Sequence, residues 1–462
     1  MITAIVGSGG KTSLLKELAA KYLAEGKRVF VTTSTHMFTE EGTLCTDDPA
    51  CIIPVLNETG FAMAGIPDGQ KIKSLSRETY ETVCRYADAV LVEADGSRHM
   101  PLKYPCEGEP VIPENTNRIL VVCGLHGLGQ KAKDCCHRLE LAKSCLGIEE
   151  DTVITASHIQ KLVEEGYLRP LRERHPDKTV SLIPRHDGSL YQRAVATLLQ
   201  QGEDVSAIRP EWFRPQPRLI ICGGGHVARE VAAMAARLDF RTRIIDDRKD
   251  LLTAERFPFA DEVICDSYDN LSRYLEPGAC YVVVTPDHEA DYHCVSTILS
   301  SDHCYLGMIG SKRKVATTAE KLRADGFSED QIRSVFAPIG LSIHAVTPAE
   351  IAVSILAQII QEKNRTHAAS ADRSLLETKE PGVLCVITEK HGSTPRGTGS
   401  MMFVGKDMVL GSIGGGEPEY LAIARARETE TVTAEEYHLN NRRPDGLDMV
   451  CGGTLRVLFI PV

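Results

Sequence analysis

The chain has 462 residues, of which 43% are hydrophobic and 25% charged, and its formal net charge is −11 at pH 7. With roughly 150 residues per domain as a prior, this length predicts about three domains. An acidic chain without a basic stripe argues against nucleic acid as the main partner. No apolar run approaches the ~18 residues of a membrane helix, and the N-terminus shows no secretion signal. We therefore expect a globular cytoplasmic protein that binds neither nucleic acid nor membrane.

The fifteen cysteines are scattered through the chain without a C-x-x-C pair. In a reducing cytosol we expect most of them to be small buried hydrophobes. Cys135 with Cys136, and Cys45 with Cys51, lack the second spaced pair that a zinc site needs. We therefore predict no structural zinc.

A phosphate-loop pattern stands at the N-terminus, where a short apolar strand leads into a glycine loop and a helical pattern. In such a loop, backbone N–H groups surround a phosphate, a lysine neutralises the terminal phosphates and a hydroxyl holds Mg²⁺. Ile5 stands where the standard motif has its first glycine, so we predict a shortened loop. The predicted phosphate-binding residues are Gly7, Gly9, Gly10, Lys11 and Thr12.

Two later apolar strands of this region end in polar residues. One leads into the run TTSTH, and the other ends at Glu93 and Asp95. A strand that brings carboxylates beside the loop suits Mg²⁺ binding or the positioning of a water molecule. We therefore predict an NTP site with Lys11, Glu93 and Asp95 as catalytic residues and with Thr12 and Asp95 on the metal. The alternative is a Rossmann-like lobe without a ligand.

Three stretches of this region, VGSGGKTSLL, VTTSTHMF and VEADGSRHMPLKYP followed by EPVIP, resemble the YqeC family. Its members are accessory proteins associated with selenium-dependent molybdenum hydroxylases. The resemblance implies that Lys103 belongs to the same site as Lys11 and Asp95. The family usually has an N-K-x-D-like segment late in the domain, whereas residues 183–187 read IPRHD here, so ATP and GTP both stay open. We place this domain at 1–205.

A complete β-turn-α-β nucleotide-binding signal occupies residues 218–247. The strand LIIC precedes a G-x-G-x-x-A turn, and a second strand ends in an aspartate about 20 residues later. The first glycine permits the tight turn, the second leaves room for a pyrophosphate, and the alanine lets the helix pack closely. The aspartate would accept ribose hydroxyls and disfavour a 2′-phosphate, so we predict NAD or another nucleotide here. The predicted cofactor-binding residues are Gly223, Gly225, His226, Ala228 and Asp246.

Two helix starts follow in the same domain. His288 and His293 are five residues apart and fall on different helical faces, so we interpret Asp287 as a helix N-cap rather than as part of a metal site. The sequence TPAE at 347–350 is a capping box, which predicts a helix running toward Lys363.

The stretches GGGHVA, IDDR, LGMIGSKRK and PIGLSIHAVTPAEIAVSILA, in this order, resemble the XdhC/CoxI family. Its members are accessory proteins for molybdenum hydroxylases of the xanthine dehydrogenase type. We place this Rossmann-like domain at 218–363, between linkers at 201–217 and 364–382. Residues 382–462 look like the small domain of the same family, so the two halves stand in exchanged order relative to the common arrangement.

Glycine-rich loops characterise the small C-terminal domain. The cluster Gly414, Gly415 and Gly416 and a later Cys-Gly-Gly turn predict a concave surface of free N–H groups, suited to a phosphate-bearing cofactor. Some family members have a cysteine after the triple glycine, where this chain has Glu417. Cys451 is therefore the candidate catalytic thiol, and the alternative is a buried structural cysteine.

Together these patterns predict an α/β protein with a P-loop-like NTPase domain, a Rossmann-like doubly wound domain and a small β-rich α/β domain. The resemblances imply a maturation factor for a molybdenum hydroxylase, which binds molybdopterin cofactor, assists its sulfuration or selenation, and gates its insertion with NTP and Mg²⁺. They also imply a client hydroxylase, a cysteine desulfurase or selenium donor as partner, and a homodimer.

Two other functions stay open from the sequence. One is an NAD-dependent oxidoreductase fused to a kinase-like lobe, although the sequence offers no evident acid–base partner for hydride transfer. The other is a nucleotide-sensing scaffold without catalytic activity.

Overall fold

The computed structural model describes residues 1–96, 100–366, 371–439 and 452–462. Three α/β units follow one another along the chain, each built on its own main sheet. Within the described ranges no helix is both long and apolar enough to cross a membrane.

The N-terminal unit contains a mostly parallel sheet. The strands of this unit are β1 (Ile2–Gly7), β2 (Val29–Thr33), β3 (His36–Phe38), β4 (Leu44–Cys45), β5 (Phe61–Asp68), β6 (Lys71–Lys73), β7 (Ala89–Glu93), β8 (Leu102–Lys103), β9 (Arg118–Gly124), β10 (Cys136–His137) and β11 (Thr179–Arg185). Strands β8 and β10 pair with each other in a separate two-stranded sheet. Its helices are α1 (Lys11–Ala24), α2 (Pro49–Thr59), α3 (Arg77–Cys84), α4 (Ala132–Cys135), α5 (Leu139–Leu146), α6 (Ala156–Val163), α7 (Arg169–Arg174) and α8 (Leu190–Gln201).

The strand β1 lies in the interior of this sheet. The strand order is β11-β9-β1-β7-β2-β5-β6-β3, and β1 is parallel to both β7 and β9. Its residues after Ile2 are all buried, as are all residues of β7, which is typical of parallel strands covered on both faces. The carboxyl ends of β1 and β7 therefore lie side by side, as the sequence predicted for the carboxylates and the glycine loop.

The second unit is a doubly wound parallel sheet, which confirms the predicted Rossmann-like domain. Its strands are β12 (Leu219–Cys222), β13 (Thr242–Asp246), β14 (Glu262–Cys265), β15 (Ala279–Val283) and β16 (His303–Met308). Its helices are α9 (His226–Arg237), α10 (His288–Leu299), α11 (Lys312–Ala324), α12 (Glu329–Ser334) and α13 (Pro348–Thr366). In the order β14-β13-β12-β15-β16, the strands that follow β12 in the chain are added first on one side of it and then on the other. Ligands bind in such sheets at the point where the strand order changes sides.

Both predicted helix caps of this unit are present. The Asp287 side chain accepts hydrogen bonds from the N–H groups of Glu289 and Ala290 at the start of α10. Glu350 accepts from the N–H of Thr347, whose hydroxyl accepts from the N–H of Glu350, so the capping box is confirmed at the start of α13.

The third unit is an antiparallel sheet with one helix against it. Its elements are α14 (Arg373–Glu377), β17 (Gly382–His391), β18 (Met401–Gly405), β19 (Val409–Gly411), α15 (Gly416–Arg427), β20 (Thr433–His438) and β21 (Thr454–Pro461). The strand order is β19-β18-β17-β21-β20. Alternate side chains of β17 face α15 on one side of the sheet and the N-terminal unit on the other.

The predicted linker 201–217 differs from a free connecting segment, because part of it is buried. Trp212 is only 5% exposed and belongs to a hydrophobic cluster that also contains Val195 of α8 and Phe403 of β18. The large apolar surface of the tryptophan explains the difference, because leaving it in water would be costly. This segment therefore joins the first and third units in one core.

Candidate functional site

The first candidate site begins at the loop between β1 and α1. Gly7, Gly9 and Gly10 have φ angles of +89°, +75° and +130°, which strongly favour glycine. A Cβ on Gly7 would lie 2.1 Å from the carbonyl oxygen of Val122, so the loop also needs glycine for space. Since β1 ends at Gly7 and α1 begins at Lys11, the loop is short, as the sequence predicted.

The N-terminus of α1 carries backbone N–H groups without intrahelical partners. No described side chain caps this helix, and residues 9–13 line a cavity. A helix start with open N–H groups in a cavity attracts an anion through those groups and through the helix dipole. The Thr12 hydroxyl lies in the same cavity wall.

Lys11 is folded back into the loop. Its ammonium donates to the carbonyl oxygen of Gly7 at 2.7 Å and lies 3.1 Å from Oδ1 of Asp95. The N–H of Gly7 donates to Oδ2 of the same aspartate at 3.1 Å. Asp95 therefore holds both ends of the glycine loop, although it lies just after β7 and not in the loop itself.

A chain of buried charges extends from Asp95 into the protein. The Lys103 ammonium lies 3.2 Å from Oδ2 of Asp95 and 2.6 Å from Oε2 of Glu109, and both Lys103 and Asp95 are fully buried. Arg138 binds Glu109 with both guanidinium nitrogens, at 2.5 and 2.9 Å. These contacts offset the cost of removing the charges from water, because each buried charge has an opposite neighbour. The pKa of Glu109 is lowered to about 2: burial opposes this shift, and hydrogen bonds from Arg138 and Lys103 outweigh it.

Tyr167 completes the surroundings of Asp95. Its hydroxyl donates to Oδ2 of Asp95 at 3.1 Å, and burial together with this carboxylate raises the tyrosine pKa well above its ordinary value. Tyr167, Arg138 and Glu109 were not singled out from the sequence. Only Glu109 had a signal there, because it is the first residue of the EPVIP stretch.

Glu93 is the chemically least satisfied group of the site. It lies at the end of β7, is 8% exposed, and its Oε2 has no hydrogen-bond partner among the residues that the structure describes. Burial raises its pKa to about 7, against the opposing charge of Lys11. A carboxyl group that changes charge near neutral pH suits a general base, and its unpaired oxygen suits a metal ligand.

Glu93 and the start of α1 share one cavity of about 860 Å³, a size typical of small-molecule sites. The carboxylates in the cavity wall, Glu40, Glu93 and Glu109, are outnumbered by basic side chains, which favour an anionic ligand. The basic side chains are Lys11, Lys71, His126, His137, Arg138 and Arg185. The described part of the chain contains no group of three or more histidine, cysteine or carboxylate side chains arranged to hold a metal ion. A Mg²⁺ ion here would thus complete its shell with phosphate oxygens and water.

The predicted Rossmann turn has the expected glycine geometry. Gly223 has φ +117°, and a Cβ there would lie 2.4 Å from the carbonyl oxygen of Val284. A Cβ on Gly225 would meet no atom within 4 Å, so the space before α9 is open. His226 begins α9, and Ala228 is fully buried against the sheet.

The Asp246 carboxylate already accepts hydrogen bonds from other groups of the protein. Asp246 is fully buried and accepts from the Gly224 N–H at 2.5 Å and from the Arg248 guanidinium at 2.7 Å. Burial would raise the pKa of Asp246, but these hydrogen bonds hold it below its ordinary value. This pair was not predicted from the sequence, and it balances the negative charge that was expected to repel a 2′-phosphate.

The glycine cluster at 414–416 differs from the open cradle that its sequence predicted. Oε2 of Glu419 accepts hydrogen bonds from the N–H groups of Ile413 and Gly415, both at 3.0 Å, and from the hydroxyl of Ser412. A carboxylate of the chain therefore sits where a phosphate was expected. The predicted thiol Cys451 lies outside the described residues.

Comparisons with known proteins match three segments. The family model described as YqeC protein matches residues 3–140. The model described as XdhC Rossmann domain matches residues 219–359, and the one described as XdhC and CoxI family matches residues 375–437.

Three relatives have sequences similar to parts of the chain. The uncharacterized protein YqeC of Escherichia coli is 33% identical over 40% of this chain and 72% of its own length. The uncharacterized protein YqeB of the same organism is 30% identical over 44% of this chain, but the chain spans only 37% of YqeB. A protein of Bacillus subtilis described as a probable xanthine dehydrogenase component is 28% identical over 51% of this chain and 65% of its own length.

Among solved structures, a xanthine dehydrogenase from Bacillus halodurans is 31% identical. The match covers 35% of this chain and 47% of that one, with a TM-score of 0.31.

Proposed function

We propose a function for this chain on the basis of its family. The chain belongs to the YqeC family and continues with segments that match both XdhC family models. The proposed function is that of a cytoplasmic maturation factor for a molybdenum hydroxylase of the xanthine dehydrogenase type. The observation that carries it is the presence, in one chain, of these three segments and, in the first, of a cavity with basic side chains in its wall. The protein would serve a client enzyme rather than act as an independent metabolic enzyme.

The N-terminal unit would bind an NTP with Mg²⁺. Support comes from the open helix start, the basic cavity wall and the unpaired oxygen of Glu93. The N–H groups of α1 would hold the terminal phosphates, and the Thr12 hydroxyl would face the metal. Lys11 would exchange Asp95 for phosphate oxygens, which would free Oδ1 of this carboxylate for Mg²⁺, whereas Oδ2 stays bound within the protein. Glu93 would then take the proton of the attacking water.

The Rossmann turn fits a phosphate-bearing cofactor better than the glycine cluster does. The space in front of Gly225 is open, whereas Glu419 fills the cradle at 414–416. We therefore place the phosphate of molybdopterin cofactor, or of a nucleotide such as NAD, at the start of α9. When bound, the molybdenum centre would be the place where an oxo ligand is replaced by sulfur or selenium. The residues of the turn would hold and orient the cofactor.

Cys451 stays our candidate for the thiol that handles the sulfur or selenium atom. A thiolate is the nucleophile and soft ligand that this chemistry needs. The proposed partners are a molybdenum hydroxylase client and a cysteine desulfurase or selenium donor, and the proposed assembly is a homodimer. Cys451→Ser should lower the activation of a desulfo client without lowering NTP binding.

Cofactor analysis tests the proposal. The full-length protein is purified from a host supplied with molybdate, and its molybdenum and pterin contents are measured. We expect both in the wild type and less of both in Gly225→Asp, whose carboxylate would repel a phosphate in front of α9. Glu417→Asp, which retains an exposed carboxyl group in the third unit, is the control. Neither pterin nor molybdenum in the wild type would contradict the proposal.

A further inference from the structure

A second cavity, of about 670 Å³, lies where the segment 201–217 meets the Rossmann-like unit. It is separate from the NTP cavity and from the Rossmann turn. Its wall combines an aromatic ring, basic side chains and a cysteine. The residues that matter here are Arg209, Trp212, Arg214, Glu276, Cys304 and Lys363.

Two thiols meet at this wall. Cys280 of β15 and Cys304 of β16 have their Sγ atoms 2.6 Å apart. The strand register shifts here, since Ala279 pairs with His303 and Cys280 with Tyr305, and this bulge brings Cys304 beside Cys280. Cys304 is half-buried and lines the cavity, whereas Cys280 is fully buried behind it. A small molecule in the cavity therefore reaches one sulfur first, and the second sulfur is in contact with the first.

A lysine completes the group. Lys363 of α13 is 8% exposed, lines the same cavity, and its charge acts on both sulfurs. The Cys280 thiol, as a hydrogen-bond donor, lowers the pKa of Cys304, and the positive charge of Lys363 lowers it further. Thiolates form where a cation and a hydrogen-bond donor stabilise the negative charge. Cys304, which lines the cavity, is thus the nucleophile of the pair, and Cys280, which is buried behind it, is the resolving thiol.

We propose that Cys304 and Cys280 form a dithiol site that reduces an anionic low-molecular-weight disulfide bound in this cavity. The Cys304 thiolate attacks one sulfur of the disulfide, the disulfide bond breaks, and one small thiolate leaves. Cys280 then attacks Sγ of Cys304 and releases the second small thiolate, so a Cys280–Cys304 disulfide forms. The proton of the Cys280 thiol passes to one small thiolate, and the other leaves as a thiolate that takes its proton from solvent, because Cys304 attacks already ionised. An excess of a small thiol reverses both steps. Arg209, Arg214 and Lys363 favour a disulfide that carries carboxylates.

The test uses the full-length protein and oxidised glutathione as the probe. After incubation, free thiols are alkylated and the peptides are analysed by mass spectrometry. We expect a Cys280–Cys304 disulfide in the wild type and a glutathione adduct on Cys304 in Cys280→Ser. Cys304→Ser should leave Cys280 unmodified, because Cys280 is buried. In Cys280→Ser, Cys304 should react about tenfold faster than the exposed Cys265, since Lys363 and the serine hydroxyl at position 280 still stabilise the Cys304 thiolate.

Lys363→Met and the matched control Lys379→Met separate the role of the cation from a general change in charge. We expect the first variant to slow the reaction of Cys304 about tenfold and the second to leave it unchanged. The proposal is overturned if the wild type forms no Cys280–Cys304 disulfide. It is equally overturned if Cys304 reacts no faster than Cys265. The readout needs neither a client enzyme nor a nucleotide, so its failure is distinct from a failure of the proposed function.

Discussion

The ammonium of Lys11 lies 3.1 Å from Oδ1 of Asp95, a fully buried carboxylate that also accepts the N–H of Gly7 through Oδ2. The lysine that we assign to the phosphates is therefore held by an internal anion. Binding of an NTP would replace this partner by phosphate oxygens, and Mg²⁺ would compensate the released carboxylate. We therefore expect the binding of nucleotide and of Mg²⁺ to be coupled through the contact between Lys11 and Asp95.

The first prediction concerns Lys11→Ala, which removes the charge and keeps the backbone N–H groups. A hydrogen bond to a charged group contributes about 1.5–3 kcal/mol, so we expect nucleotide binding to weaken by about ten- to a hundredfold. Lys16→Ala is the control, because Lys16 lies on the same helix but is exposed and paired with Glu40. Titration with labelled ATP and GTP in the presence of Mg²⁺ measures the effect. If neither nucleotide binds the wild type at millimolar concentration, the NTP site is wrong.

Glu93→Gln should change how stability depends on pH. The pKa of Glu93 is raised from 4.5 to about 7, so the folded protein keeps a proton that the unfolded chain releases. This contribution is present below pH 4.5 and is lost as the pH rises through 7, a difference of about 3 kcal/mol. Glutamine keeps the shape without the charge. We therefore expect the free energy of unfolding of the variant, relative to wild type, to rise between about pH 5 and about pH 8.

Chemical denaturation without Mg²⁺ at both pH values measures this difference. Glu40→Gln, at an exposed position of the same cavity, serves as the control. A constant difference between Glu93→Gln and wild type across the range would show that the carboxyl group is ionised throughout.

The third prediction concerns the Rossmann turn. Asp246→Ala would leave the N–H of Gly224 and the guanidinium of Arg248 without their acceptor. Leaving the buried N–H of Gly224 without an acceptor costs about 1–3 kcal/mol, whereas the Arg248 side chain is 38% exposed and stays hydrated, so the free energy of unfolding should fall by about 1–3 kcal/mol. Asp247→Ala is the matched control, because the neighbouring Asp247 is about half exposed. Equal unfolding curves for the two variants would contradict the structural role of Asp246.

The fourth prediction concerns the cradle of the small domain. Glu419→Ala exposes the N–H groups of Ile413 and Gly415, and we expect a loss of about 1–2 kcal/mol in the free energy of unfolding. Inorganic phosphate should restore part of the loss, because an anion would fill the vacated N–H groups. Glu417→Ala, at an exposed neighbouring carboxyl, should show neither effect. Melting curves with and without phosphate distinguish the variants, and identical phosphate responses would refute the role of Glu419.

The local parts of the site were predictable from the sequence. The glycines and the lysine of the loop lie close together in sequence. The carboxyl end of β7, with Glu93 and Asp95, lies beside the end of β1, which leads into the loop. The surroundings of Asp95 were not predictable in the same way. Tyr167 lies 72 residues away from it along the chain, and no periodicity or spacing links the two residues.

At two predicted ligand sites the protein itself supplies a hydrogen-bond partner that was expected from a ligand. Glycine clusters and turn acids were assumed to face a ligand, yet Glu419 and Arg248 satisfy them from within the chain. Trp212 lies in the predicted linker 201–217, and its ring is buried in a core shared by two units. Which partner satisfies a polar group is decided by tertiary packing, which a single sequence does not display.

The most direct test of the proposed function is the activation of a client enzyme. A desulfo molybdenum hydroxylase of the xanthine dehydrogenase type is incubated with this protein, a chalcogen donor, Mg²⁺ and ATP or GTP, and its turnover is measured. We expect the wild type to restore activity only with NTP present, Lys11→Ala to restore little, and Lys16→Ala to match the wild type. Restoration that is independent of NTP and equal in all three proteins, or no restoration by any of them, would contradict the proposed function.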